Sequence, residues 1–172
     1  MTGFLEPSLS YSSDGIDFMI PYSKVLSDES DITAAARNIS ERGVGIEGNY
    51  RRLHSSKKNL TNIDLLYFGS DKEYKRLSQK SSESRWAFSL KDRYQVNNNI
   101  KIDVDWSKVS DSLVLRDISG EITAVGSQRQ QYLSQNVSVS GTYNNITFKI
   151  EQEKNQSLNP LLTNGYKKSP SI

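Results

Sequence analysis

The chain has 172 residues, with 22 Lys and Arg against 20 Asp and Glu and no cysteine. This length suits one domain, the balanced charge argues against a nucleic-acid-binding protein, and the lack of cysteine excludes disulfide and thiolate chemistry. Mean hydropathy is −0.63, and no apolar run approaches the roughly 18 residues that a membrane helix needs. Strands that cross a membrane carry an apolar residue only at every second position, so low hydropathy does not exclude them.

Segments in which apolar and polar residues alternate recur from one end of the chain to the other. In chain order they predict about nine strands, at 4–11, 16–22, 31–38, 44–53, 60–68, 85–92, 100–106, 132–143 and 146–152. The segment 60–68 alternates least cleanly and is expected to bulge. The clearest strand is "IKIDVDW" (100–106), whose apolar residues fall on one side and whose charged residues fall on the other. The apolar side is the core of a soluble sandwich, but it faces lipid in an outer-membrane barrel.

The connections between these strands differ in length. "SSDG" (12–15), "ERG" (41–43), "NNN" (97–99) and "YNN" (143–145) are typical of tight turns. Two connections, at 70–83 and 110–130, are long and polar, and an up-and-down meander places both at the same end of the sheet. Long loops at one end and short turns at the other are typical of outer-membrane barrels, although a soluble sandwich also allows them. The only helical signal is a turn or two at 74–80.

Four motifs point to a known family. They are "SDKEY" (Ser70–Tyr74), the Arg85–Trp86 pair that opens a strand, "WSKVSD" (Trp106–Asp111) and a strand that begins at Tyr132. Together with the first hairpin, which has a proline in each strand, they resemble the barrel of the LPS-assembly protein family (LptD, OstA or Imp) from about Gly3 to the C-terminus.

The resemblance implies an all-β fold, a transmembrane antiparallel up-and-down β-barrel. Residues 1–172 would be a partial barrel domain with about nine strands of a larger barrel. "MTGFLEPSLS" lacks the basic and apolar regions of a signal peptide, so we expect the family's signal peptide and its periplasmic jelly-roll domain to be absent from this chain.

The implied function is passive, because the family conducts lipopolysaccharide (LPS) through the barrel lumen and a lateral gate into the outer leaflet. We expect no enzyme activity, no cofactor and no metal. The implied location is the outer membrane of a Gram-negative bacterium. The implied partners are LPS, the lipid bilayer, an LptE-type plug lipoprotein, the barrel-assembly machinery and, through the missing domain, an LptA-type periplasmic bridge. The alternatives are a generic porin or adhesin barrel and a soluble β-sandwich binding module.

The resemblance also assigns residues to roles. Pro7 and Pro21 are expected to weaken the hydrogen bonding of a lateral gate, although an edge hairpin of any β-protein also accommodates proline. The charged side of the strands supplies candidates for a lumen lining, although in a soluble protein it would be a solvated face. The candidates are Glu47, Arg51, Arg85, Lys91, Lys101, Asp103, Asp105, Lys149 and Glu151. Aromatic residues near strand ends, otherwise core residues, are candidates for girdles at the membrane interfaces: Tyr50, Tyr67, Trp86, Trp106, Tyr132 and Tyr143.

Two carboxylate pairs occur in the long loops, Asp71 with Glu73 and Asp111 with Asp117. Such pairs serve acid–base chemistry or cation binding in other proteins, but no histidine or ligand spacing supports them here. We therefore expect all four side chains to be solvated.

Overall fold

The protein forms one antiparallel sheet in the computed structural model, which describes residues 2–54, 59–78, 84–126, 129–159, 161–162 and 167–171. Its strands are β1 (Gly3–Phe4), β2 (Ser8–Ser12), β3 (Gly15–Ser27), β4 (Ser30–Ile39), β5 (Gly43–Leu53), β6 (Leu60–Phe68), β7 (Arg85–Gln95), β8 (Ile100–Val109), β9 (Tyr132–Tyr143), β10 (Ile146–Ser157) and β11 (Lys167–Ser171). β1 and β2 both pair with β3, and every later strand pairs with its neighbour in the chain. The described sheet is open, with β1/β2 and β11 at its two edges.

Eight of the nine predicted strands are present as single strands, whereas the predicted strand 4–11 is split into β1 and β2 at residues 5–7, where Pro7 has no N–H to donate. The prediction of an antiparallel all-β meander is confirmed. β11 adds a strand that the pattern did not predict. The predicted bulge in 60–68 is wrong, because β6 pairs with both neighbours without a register shift. The described residues also contain two short helices, α1 (Lys72–Ser78) and α2 (Val114–Asp117). Residues 79–83 of the first long loop, the end of the predicted helical turn included, lie outside the described residues. No helix in the described ranges is long and apolar enough to cross a membrane.

The two faces of the sheet have opposite polarity. On β3 the side chains of Ile16, Phe18, Ile20 and Tyr22 are 38–52 % exposed. The alternate positions are half-buried or buried. On β5 the same holds, because Ile46 is 51 % exposed while its neighbour Glu47 is buried. A soluble sandwich buries its apolar face, so these strands have the polarity opposite to that of a sandwich. We call the face that carries Glu47 the inner face and the other the outer face.

The loop 110–130 is not simply a polar surface loop. Residues 110–126 of this loop fold over the inner face, and Val114, Leu115, Ile118 and Val125 are buried there. They form one apolar cluster with side chains from five strands, among them Leu66, Phe68, Ala87, Val109 and Leu133. Burying these residues removes them from water, and each fully buried aliphatic side chain contributes about 1.5–3 kcal/mol. The loop therefore supplies four of the eleven residues of a small core, and most of the others come from the sheet.

Gly45 leaves room for a side chain of this core. The ring of Phe68, which is fully buried, lies directly across the strand pair from Gly45. A Cβ at position 45 would lie 2.5 Å from Phe68 Cε2, a distance that forces the ring to move.

We expect Gly45→Ala to lower the free energy of unfolding by about 1–3 kcal/mol, the usual cost of overpacking. Urea unfolding in detergent micelles measures it. The matched control is Gly48→Ala in the same strand, where an added Cβ has no neighbour within 4 Å and should leave the free energy nearly unchanged. Equal effects at the two positions would contradict this account of Phe68.

Candidate functional site

The register of the sheet places the nine predicted lining residues on the inner face. Glu47 is opposite Leu66, Leu66 is opposite Ala87, and Ala87 is opposite Val109. The other lining residues of β5, β7 and β8 lie at alternate positions from these, on the same face. Lys149 and Glu151 join them through the pairing of β8 with β9 and of β9 with β10. Glu47 and Arg85 are buried, Lys101, Asp103 and Glu151 are half-buried, and Arg51, Lys91, Asp105 and Lys149 are exposed.

Most of these side chains are paired in the half of the inner face that the loop leaves open. Asp103 lies 2.6 Å from Lys101 and 3.3 Å from Arg93, and Lys149 lies 2.9 Å from Glu151. A pocket of about 380 Å³ lies between Lys91 and Asp105. The surface there is wet and of mixed sign, with no excess of either charge.

A buried clamp holds the loop 110–126 on the inner face, and its centre is Arg37. The guanidinium donates to Asp17 on β3, to Glu47 on β5 at 2.6 Å and to the Ser119 carbonyl oxygen at 2.6 Å. Glu47 in turn accepts hydrogen bonds from the backbone N–H groups of Glu121 and Ile122, at 3.0 and 3.1 Å. Buried charges are tolerated only when they are paired and hydrogen-bonded in this way.

The second network lies at the end of the sheet that carries the long loops. We define the rim as the charged residues of the described segments 12–15, 40–43, 69–78, 84–86, 108–126 and 129–132. Within it, Arg42 bridges Asp14 and Asp71, at 3.0 Å each. Arg85 bridges Asp71, Asp111 and Asp117, at 3.0, 2.7 and 3.0 Å. One chain of alternating charges therefore ties together four connections of the sheet.

The expectation that the loop carboxylates are solvated is wrong for three of the four. Asp71 is fully buried, and the side chains of Asp111 and Asp117 are 12 and 20 % exposed. Glu73 instead pairs with Arg76 on the surface of α1. Burial by itself would raise the pKa of Asp111, but the hydrogen bonds and positive charge of Arg85 outweigh it and, with the Ser110 hydroxyl, hold that pKa below its usual range. Asp111 therefore stays ionised in the network.

This network connects the motifs that carry the family resemblance. Asp71 comes from "SDKEY", Arg85 opens its strand, and Asp111 ends "WSKVSD". The ring of Tyr74, from the first motif, lies 4.3 Å from the Arg85 guanidinium carbon. The sequence offered a signal, since these motifs pair acids with one arginine, but the contacts join residues up to 32 positions apart.

The two prolines lie where β1/β2 meets β3. Phe4 pairs with Tyr22 and Ser8 pairs with Met19. Three residues of the edge segment therefore lie opposite only two residues of β3. One residue of that segment, beside Pro7, is extra and has no partner position on β3. Leu5 N donates to the Pro21 carbonyl oxygen at 2.9 Å. In such an antiparallel pair the two residues normally exchange both bonds, and the return bond is missing because proline has no N–H. The break therefore weakens the edge of the sheet, while β3 stays in continuous register with β4 from Asp17 to Val25.

The six predicted girdle aromatics are half-buried or exposed. Each lies within three residues of a strand end. Tyr67 and Trp86 are directly opposite each other. With Trp106 and Tyr132 they lie toward the rim, whereas Tyr50 and Tyr143 lie toward the opposite end.

No group of three or more histidine or carboxylate side chains is arranged for a metal in the part of the chain that the structure describes. The buried carboxylates Glu47 and Asp71 are instead paired with arginines, and buried Asp64 accepts hydrogen bonds from Asn49 and Asn62. These pairings suit a structural role rather than acid–base chemistry.

Comparison with known proteins agrees with the motifs. Residues 83–172 match the family model of LptD, LPS transport system D. The chain is 29 % identical to the LPS-assembly protein LptD of Legionella pneumophila (strain Lens) over 171 residues, which cover 93 % of this chain and 20 % of the relative. For the protein of the same name from Pseudomonas aeruginosa (strain LESB58), the identity is 26 % over 173 residues, 99 % of this chain and 18 % of the relative.

The protein of that name from Vibrio vulnificus (strain CMCP6) is 30 % identical over 122 residues, 70 % of this chain and 15 % of the relative. The chain thus spans a fifth or less of the length of these relatives. The family is one of transport and assembly proteins, not of enzymes. With more than half of its residues inside the matched model, this chain belongs to the LptD family.

Proposed function

We propose that the chain forms part of an outer-membrane β-barrel that delivers LPS to the outer leaflet of a Gram-negative bacterium. The observation that carries the proposal is the polarity of the sheet, whose outer face is apolar and exposed while its inner face is charged and partly covered. Lipid requires an apolar exterior, and every backbone group must be paired inside a closed wall. Further strands beyond the open edges of this sheet would close that wall.

In this proposal the inner face lines the lumen. Its open half is polar, wet and balanced in charge, which suits passage of a sugar-phosphate headgroup without trapping it. Residues such as Lys91, Lys101 and Asp105 would meet the headgroup or an LptE-type plug. An LptA-type bridge would act through the periplasmic domain of the family, and the barrel-assembly machinery would insert the barrel. The aromatic residues toward the two ends would lie at the membrane interfaces.

The lateral gate would be the edge formed by β1/β2. Because the extra residue beside Pro7 and the missing donor of Pro21 both loosen this edge from β3, the first strand could part from the last strand of the barrel without unfolding the wall. Each missing ladder bond costs on the order of 1 kcal/mol.

Depletion tests the proposed function as a whole. When the native protein is depleted from its own cells, LPS on the cell surface, measured with a modifying enzyme that cannot cross the outer membrane, should fall while total LPS remains. A porin or adhesin barrel predicts unchanged surface LPS. A soluble sandwich module predicts a protein that fractionates without detergent, and either result would remove the proposal.

We expect Pro21→Ala to hold the first strand more firmly on β3 and so to hinder opening of the gate, because alanine restores the N–H that faces the carbonyl oxygen of Leu5. One added hydrogen bond of about 1 kcal/mol would reduce the open population about fivefold. The measurement is the rate at which newly made LPS reaches the surface. Pro7→Ala is the control, since Pro7 lies beside the extra residue, outside the ladder, and should have the smaller effect. A faster rate in Pro21→Ala would contradict the gate.

A further inference from the structure

The rim has nearly equal numbers of cations and anions, but its exposed side chains are mostly cations. Its described segments hold eight Lys and Arg and seven Asp and Glu. The exposed ones, however, are six cations and only two anions, Glu41 and Glu121. The exposed cations are Lys72, Lys75, Arg76, Lys108, Arg116 and Arg129, of which Arg76 pairs with Glu73 and Arg116 lies 3.5 Å from Asp117.

The ion-pair network is the cause of this sorting. Asp71, Asp111 and Asp117 turn inward to Arg85, and Asp14 and Asp71 turn inward to Arg42. Five of the seven rim carboxylates are thereby held inside the network or, for Glu73, against Arg76, and all five are half-buried or buried. The network itself holds four carboxylates against two arginines, so the described rim is net +1 and its excess of cations lies on the exposed side.

Lys108 extends this positive surface to the outer face. It is opposite Phe88, on the face that carries Trp86 and Trp106. On the outer faces of β6, β7 and β8 it is the one cation, and Asp92 near the other end is the one anion. Lys108 Nζ lies 6.0 Å from the centre of the Trp86 ring. A lysine and a tryptophan at the edge of an apolar band are typical of a membrane interface, where the headgroups lie.

We propose that the exposed rim cations, with Lys108 at their edge, form a docking surface for the phosphate groups of LPS already present in the outer leaflet. This inference rests on the proposed function, because an outer-membrane barrel carries its long loops, and hence this rim, on the outer side of the membrane. The occupant follows from charge complementarity: clustered lysines and arginines beside an apolar band fit a phosphorylated glycolipid, whose phosphates meet the cations while its acyl chains meet the band. Docked glycolipid would seal the junction between the rim and the surrounding leaflet.

The test uses the complete native protein in phosphatidylcholine nanodiscs and measures binding of fluorescent lipid A. Lys72→Gln with Lys108→Gln removes two rim cations. The matched control, Lys24→Gln with Arg52→Gln, removes two exposed outer-face cations near the opposite end of the sheet. A cation at a charged membrane surface contributes about 1 kcal/mol, so the rim pair should weaken binding at least about tenfold and the control pair less than about twofold.

Dephosphorylated lipid A is the ligand control, because it should bind the two double variants and the wild type with the same affinity. Equal weakening by the two pairs would show an effect of net charge only and overturn the proposal, as would unchanged binding or an equal loss with dephosphorylated lipid. If the rim pair fails to fold, Lys72→Gln with Arg116→Gln removes the same charge from the loops alone. The depletion experiment makes no use of the rim, so failure of this surface and failure of the proposed function can be told apart.

Discussion

Arg85→Met is expected to lower the free energy of unfolding by about 3–5 kcal/mol, the range for breaking a buried ion pair from one side. Arg85 is fully buried and contacts three carboxylates. Methionine keeps most of the volume but leaves Asp71 to Arg42 and the Tyr74 N–H, and Asp111 to the Ser110 hydroxyl and the Leu113 N–H. Urea unfolding in detergent micelles measures the loss.

Two controls make this result specific. Arg51→Met applies the same change to an arginine on the same face that contacts both oxygens of Asp31, at 3.0 and 3.1 Å, but is 60 % exposed. Exposed pairs contribute about 0–1 kcal/mol, so this variant should be nearly as stable as the wild type. Arg85→Lys keeps the charge but loses the planar fork, and we expect an intermediate loss. If Arg85→Met costs no more than Arg51→Met, the network does not stabilise the rim.

The contrast between Arg85 and Asp71 shows where sequence reasoning reached its limit. Strands were predictable because an alternating pattern is local and each strand satisfies it by itself. Arg85 was correctly placed on the charged parity, and it lies on the inner face. The carboxylates of Asp71, Asp111 and Asp117 belong to loops, which have no periodic pattern. Their polarity alone therefore predicted that they are exposed to solvent. Their burial depends on contacts between four connections, which only the register of the whole sheet brings together.

The loop 110–126 shows the same limit in another form. Its composition is mostly polar, and Val114, Leu115 and Ile118 form no strand pattern. Their burial depends on the free inner face of β6, β7 and β8, with Leu66, Phe68 and Ala87 as partners. The burial pattern of β9 also departs from strict alternation, because its buried residues are Leu133 and Gln135 and then Ser138. A pattern with period two cannot predict that shift. The polarity of the sheet was left open by the sequence, because both a sandwich and a barrel fit the same alternation.

Glu47→Gln is expected to release the loop from the inner face. Glutamine has the same shape, but its NH₂ group cannot accept, so it cannot serve both Arg37 and the two N–H groups of Glu121 and Ile122. Leaving a buried donor unsatisfied costs about 1–3 kcal/mol, more where a charge is involved. We therefore expect the amides of Glu121 and Ile122 to exchange hydrogen about 10–100-fold faster, which corresponds to a local loss of about 1.4–2.7 kcal/mol, as measured by mass spectrometry of the protein in detergent.

Asp64→Asn separates release of the loop from general loss of stability. Asp64 is also fully buried on the inner face, but its oxygens accept from the side chains of Asn49 and Asn62, at 2.7 and 2.6 Å, and not from the loop. It should lower global stability without faster exchange confined to residues 119–122.

The Ser8 hydroxyl, which donates to Glu121 at 2.8 Å, links the same loop segment to the edge strand β2. Faster exchange in β2 of Glu47→Gln, and not of Asp64→Asn, is therefore also expected. Unchanged exchange at Glu121 and Ile122 would mean that the apolar cluster around Leu115, rather than the clamp, holds the loop.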